Sequence, residues 1–323
     1  MKTKNNVNEK DLLPLSLDFI VSLKANGYSQ ETSYNYKRDL EIFNNFLITS
    51  GIKFKQFDKR QVLNYKAYLS SSSRNTAQRT KTDKVLSAYS INRILSSLRM
   101  YLKFLDEMDY DIPVVPSHIK LVKTPRVHPH VPELRELVAM LEVPIKYETN
   151  KFVALRNHAM LEMLFATGMR ISELITLKTD QIDGSGKIFI RGKGKKERFV
   201  YLTPRAISVL GKYMSKRPAN HDFLFVSLRG LNSANKNKSI STNYLQERIK
   251  TYRKHLNINI PISAHTFRHG FATYLAEYGA NPAAIQVLLG HESLDTTTRY
   301  VNTSDRYAEK AHHKYHPLNK VEK

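Results

Sequence analysis

Five of the twelve prolines in this 323-residue chain fall within one stretch, at Pro113, Pro116, Pro125, Pro129 and Pro132. Each removes a backbone donor and restricts φ, so the stretch cannot continue a helix and reads as an extended, semi-stiff connector. Lys120, Lys123 and Arg126 stand among the prolines and make the connector basic. A chain interrupted in this way folds as two units, and its 41% apolar and 10% aromatic content supplies a core for each. The expected organisation is an N-terminal domain over 1–110, a linker over 111–132 and a C-terminal domain over 133–323.

From Leu12 to about Leu105 the apolar residues recur at helical spacing, and four helices are expected. The first lies around Leu15–Leu23. In the second, Ser29 caps the start, Tyr36, Leu40, Phe43 and Leu47 form one stripe, and Gly51 stops it. Asp58 caps a third, carrying Val62, Tyr65 and Leu69. Ser90 caps a fourth, whose apolar face is Ile91, Ile94, Leu95, Leu98, Tyr101, Leu102 and Leu105. The polar, basic run Ser70–Lys84 between them reads as a loop.

Beyond the linker, helical patterns over about Glu133–Leu141 and Asn157–Ala166 lead to Gly168, and Ser172–Leu177 reads as another short helix. The period then changes to two. Lys187–Arg191 and Glu197–Leu202 flank Gly192-Lys193-Gly194-Lys195-Lys196, which predicts a β-hairpin with a basic turn. Helices near Pro204–Met214 and Thr242–His255 flank a short apolar Phe223–Val226. The expected fold class is mainly α (α+β): a four-helix N-terminal domain, then a mostly helical domain with a small antiparallel sheet.

Charge narrows the function classes. Fifty-one Lys and Arg against 29 Asp and Glu give a formal charge of +22, of which residues 1–110 carry +7, 111–132 carry +2 and 133–323 carry +13. A positive excess on both units suits a polyanion, because each neutralised phosphate releases counterions. The chain has no cysteine, which excludes disulfides, thiol catalysis and thiolate zinc sites and suits a reducing cytoplasm. No run of 18 apolar residues is present, the polar start lacks a secretion signal, and no phosphate-binding loop of the Gly-x-x-x-x-Gly-Lys-Ser/Thr type occurs.

Two tracts near the C-terminus gather the residues suited to chemistry. In Ser263-Ala-His265-Thr-Phe-Arg268-His269-Gly270, helical spacing puts His265 and Arg268 on one face, with Phe267 and Phe271 turned to a core. In the second, Pro282 fits a first turn and Gly290 a left-handed C-terminal position, so His291 falls at a helix end, nine residues before Tyr300. Arg170 follows Gly168 in a turn between helices, where the backbone holds it from both sides.

Arg170 in Ala166-Thr-Gly-Met-Arg-Ile-Ser-Glu-Leu174, Lys193 in its hairpin turn, His265-x-x-Arg268, Leu-Gly-His291 and Tyr300, in this order, resemble the tyrosine recombinases, or phage integrase family. Over residues 12–105 the chain resembles that family's SAM-like core-binding domain, and its tail His312-His-Lys-Tyr-His316-Pro317 is most similar to the bacterial Xer recombinases. Val301-Asn-Thr-Ser departs from them in lacking a Thr-His pair. The resemblance implies a C-shaped clamp on double-stranded DNA and a homo- or heterotetramer on two recombination sites. It further implies a docking tail from about 301, no membrane, no cofactor and no metal.

On this resemblance Tyr300 is the nucleophile that forms a 3′-phosphotyrosine, and Arg170 and Arg268 bind the non-bridging oxygens. Lys193 protonates the leaving 5′-oxygen, His265 is the acid/base partner, His291 hydrogen-bonds the phosphate, and Glu173 orients the site. The chemistry is consistent: guanidinium forks match phosphate oxygens, and a phenol of pKa about 10 needs a base and a positive field. Taken singly, the hairpin turn reads as a solvated basic loop and Arg170 as the partner of Glu173. Tyr307 and Tyr315 are rival phenols, the latter among His312, His313 and His316. Rival functions are a mobile-element integrase, a type IB topoisomerase and a DNA-binding protein without catalysis.

Overall fold

The computed structural model describes residues 13–72, 74–75, 85–124, 131–191, 197–219, 221–227, 239–290, 309 and 312–319. The chain divides into two compact units, Met1–Val127 and His128–Lys323.

Four helices build the first unit: α1 (Ser16–Ala25), α2 (Gln30–Ser50), α3 (Lys59–Ser70) and α4 (Ala88–Glu107). Their ends follow local chemistry. Ser29 accepts the Thr32 N–H at 3.1 Å, Asp58 accepts that of Gln61 at 2.9 Å, and Gly51 closes α2 at φ 65°. Ser87, not Ser90, caps α4: its hydroxyl accepts the Ser90 N–H at 3.2 Å. Ser90 is thereby a third-position residue, and the helix begins one turn earlier than its apolar stripe. That stripe is buried throughout. Phe19, Phe43, Phe57, Tyr65 and Tyr101 fill the core, with the Phe43 ring edge-on to Phe57 at 4.7 Å and to Tyr65 at 5.1 Å.

The proline-rich stretch begins as part of this unit. Val114 and Ile119, either side of a 3₁₀ turn at Pro116–His118, are buried in its core. The Asn92 side chain on α4 then holds Val122 by both backbone groups, donating to its carbonyl at 3.0 Å and accepting its N–H at 2.8 Å. The linker is thus anchored as far as Val122.

The second unit contains α5 (Leu134–Tyr147), α6 (Lys151–Thr167), α7 (Ile171–Ile175), β1 (Lys187–Arg191), β2 (Glu197–Tyr201), α8 (Pro204–Met214), α9 (Thr242–His255), α10 (Ala264–Glu277) and α11 (Pro282–Leu289). The strands pair antiparallel, Lys187 opposite Tyr201 and Arg191 opposite Glu197. Helices α8 and α9 have the limits expected from sequence. Helix α5 runs one turn past Pro144, and α6 starts earlier than expected, capped by Asn150, which accepts the Val153 N–H at 3.1 Å. Every residue of α6 from Ala159 to Thr167 is buried, so no polar stripe marks the helix in the sequence. Phe223–Val226 forms no strand; Leu224–Val226 lie buried, tied by the Leu224 N–H to the Leu177 carbonyl at 2.7 Å. Among the described residues, no helix is long and apolar enough to cross a membrane.

Asn92→Ala removes both bonds to Val122, at a cost of about 1 kcal/mol each. Trypsin should cut the variant faster than wild type at Lys120 and Lys123. Equal rates would contradict the anchor.

Candidate active site

Helix α6 ends at Gly168, whose φ of 62° is left-handed. A Cβ there would lie 2.4 Å from the Phe271 ring, so both backbone and packing require glycine. The turn delivers Arg170 as the residue preceding α7. Glu173, in the first turn of α7, accepts the Arg170 backbone N–H at 2.7 Å and its Nη1 at 3.0 Å. One carboxylate thus holds Arg170 at both ends, while the arginine side chain stays 37% exposed.

A second arginine grips the same carboxylate. Strand β2 turns Arg198 and Val200 inward. Arg198 donates from Nη1 to Glu173 Oε1 at 3.0 Å, from Nη2 to Oε2 at 2.8 Å, and from Nε to the Leu288 carbonyl at 2.9 Å. Burial acts to raise the Glu173 pKa, but the hydrogen bonds and charge of Arg198, with those from Arg170, hold it below the usual carboxylate value.

Helix α10 contributes the third arginine. Phe267 and Phe271 face the core as expected, and His265 is exposed. Arg268 does not share that exposure; it is 5% exposed, with its head among polar atoms. Nη1 donates to the Gly168 carbonyl and Nη2 to the Leu289 carbonyl, each at 2.7 Å. Both acceptors lie at helix C-termini, where unpaired carbonyls and the helix dipole favour a cation. Burial first, then the charges of Arg170 and Arg198, lowers the Arg268 pKa to about 10, so it remains a cation at neutral pH.

The His265 ring stacks 5.9 Å from that of His269. Burial, then His269, Arg268 and Arg170, lower its pKa, which leaves a neutral imidazole at neutral pH. Arg170 and Arg198 pair with the one carboxylate while Arg268 rests on carbonyls nearby, which leaves two positive charges in excess among these described groups. Such an arrangement is suited to an anion with several oxygens.

Lys193, His291 and Tyr300 lie outside the described residues, as does Tyr307. Their flanks are described. Arg191 Nη2 pairs with Glu197 at 2.6 Å where β1 ends and β2 begins, either side of residues 192–196, and Gly290, left-handed at φ 64°, precedes His291. Of the segment expected to be a docking tail from about 301, residues 312–319 pack into their own unit. His312 and His316 are fully buried against Phe271, with their Nε2 atoms on the Ala166 and Phe165 carbonyls. Burial lowers both imidazole pKa values, that of His316 to about 4, so each is neutral. Tyr315 packs beside Gly279.

Arg198 is not among the residues expected at the site, although the sequence carries a signal for it. Period two in Glu197-Arg198-Phe199-Val200 puts a charged residue on the apolar face of a strand, which requires a buried acid as partner.

Gly168→Ala forces the added methyl into Phe271 at a left-handed φ, and the variant should lose about 1–3 kcal/mol of stability in urea unfolding. An unchanged midpoint would contradict the packing described.

Residues 133–306 match the profile described as "Phage integrase family", and residues 18–107 match "Phage integrase, N-terminal SAM-like domain". Tyrosine recombinase XerC of Staphylococcus aureus (strain MSSA476) is 31% identical over 313 residues, covering 94% of this chain and 97% of the relative. Tyrosine recombinase XerD of Staphylococcus saprophyticus subsp. saprophyticus is 33% identical over 301 residues, covering 90% and 94% respectively. The fold is similar to that of XerH site-specific recombinase in a post-cleavage complex with palindromic difH substrate. That match has a TM-score of 0.65 and 23% identity, and covers 92% of this chain and 83% of that one.

Proposed function

The chain belongs to the phage integrase family, the tyrosine recombinases, enzymes that cleave and rejoin DNA, and from that membership we propose how its own residues carry the reaction. The observation that supports this most is the convergence of Arg170 and Arg268 on the C-terminal end of α6, with more positive charge than the neighbouring Glu173 neutralises. In this reading the two guanidinium groups take the non-bridging oxygens of a DNA phosphodiester and stabilise the negative charge that grows there in the transition state. The Tyr300 oxygen attacks phosphorus as its proton passes to neutral His265. The bond from phosphorus to the 5′-oxygen breaks, and Lys193 donates a proton to that oxygen. His291 hydrogen-bonds the phosphate.

The phosphotyrosine keeps the energy of the broken bond, so a 5′-hydroxyl from another strand reverses the step without ATP. Both basic units contribute to DNA affinity through phosphate contacts. Four strands are exchanged in pairs, which requires four copies on two duplex sites. Similarity to XerC and XerD over nearly the full length supports a Xer-like role, the resolution of chromosome or plasmid dimers, ahead of integration of a mobile element.

On a nicked suicide duplex carrying its site, wild type should become covalently attached to the 3′ end of the cut strand. Tyr300→Phe should bind the duplex and never attach. Attachment by the variant would sink the assignment of the nucleophile, and supercoil relaxation without any sequence requirement would favour a topoisomerase. Because His265 must be neutral to accept the proton and its pKa is lowered, cleavage should decline on the acid side only below the ordinary histidine value of about 6.5. An acid limb centred above that value would contradict the role of His265.

A further inference from the structure

Arg198 touches three things that the proposed chemistry needs in fixed relation. Through two parallel bonds it holds Glu173, the carboxylate that orients Arg170 by both backbone and guanidinium. Through Nε it holds the Leu288 carbonyl in the last turn of α11. Its side chain also fills the space over Gly290, where a Cβ would lie 3.0 Å from Arg198 Cδ and 3.2 Å from Nη1. It lies on β2, five residues after Lys193 in the sequence. The group is 7% exposed, so it is remote from bulk solvent and from any ligand that enters from outside.

We propose that Arg198 is a positioning residue for strand cleavage, locking the Arg170–Glu173 pair to the end of α11, which Gly290 alone separates from His291 in the sequence. This inference rests on the recombinase reading above. A lysine cannot reproduce it, because one ammonium cannot span both carboxylate oxygens and the Leu288 carbonyl in the plane that a guanidinium fork provides. Without Arg198, Glu173 stays buried with Arg170 as its remaining cation among the described residues. Its carboxyl then takes up a proton at higher pH and releases Arg170.

The test compares wild type, Arg198→Lys, Arg198→Gln, Glu173→Gln and the double variant Glu173→Gln/Arg198→Gln on the nicked suicide duplex. Melting temperature and gel-shift affinity are measured alongside the single-turnover rate of covalent attachment. Attachment by wild type is scored first, and its absence refutes the recombinase reading itself. Given that attachment, Arg198→Lys should fold and bind DNA as wild type does, yet attach about 100-fold more slowly, the scale expected for a misplaced catalytic group. In Arg198→Gln the acid limb of the rate should move to higher pH. The double variant should lose no more than the worse single variant and should lack that pH shift, because both changes break one unit. A role confined to stability would lower the melting temperature without moving the pH profile. Wild-type attachment rates in folded Arg198→Lys, or losses that multiply in the double variant, would overturn the coupling; should Arg198→Gln not fold, the Arg198→Lys rate decides.

Discussion

A single buried carboxylate organises the second unit's charged end. Glu173 meets Arg198 through two parallel hydrogen bonds and Arg170 through a guanidinium and a backbone N–H, so both of its oxygens are satisfied from two directions. Taking a carboxylate and a guanidinium out of water costs several kcal/mol per ion, and only good geometry recovers it. The pairing is therefore better understood as a device for position than for stability. It orients a half-exposed arginine by means of a buried one.

Arg268 solves a related problem by other means. Its buried charge rests on carbonyls from the ends of two helices, Gly168 after α6 and Leu289 of α11. The polar groups that a helix leaves unpaired become the anchor of a cation, while the cation retains its net charge for an incoming anion. The same end of α6 also receives His312 and His316 as neutral donors to Ala166 and Phe165. Helix α6 is buried from Ala159 to Thr167 and supplies the floor on which these groups converge.

Much of this was legible in the sequence where local rules decide. Ser29, Gly51 and Asp58 set helix limits because capping and left-handed glycine are local effects, and the hairpin strands followed from period two. The rules failed where burial erased the pattern, as in α6, or where two serines competed for one cap, as at Ser87 and Ser90. At the site, Arg170 next to Glu173 and the paired phenylalanines of α10 could be placed from spacing. The burial of Arg268 could not, because its partners come from residues 100 and 21 positions away in the chain. Arg198 escaped for the same reason: Glu173 is 25 positions distant and Leu288 is 90.

The account stands on a phosphate being received between Arg170 and Arg268 while Glu173 and Arg198 remain paired. A crystal structure of the wild-type protein trapped on a nicked suicide duplex tests this directly. The predicted result is a phosphate joined to Tyr300, with guanidinium nitrogens of Arg170 and Arg268 at about 3 Å from its non-bridging oxygens. A phosphotyrosine at another residue, or one with Arg268 bound only to the Gly168 and Leu289 carbonyls, would contradict it.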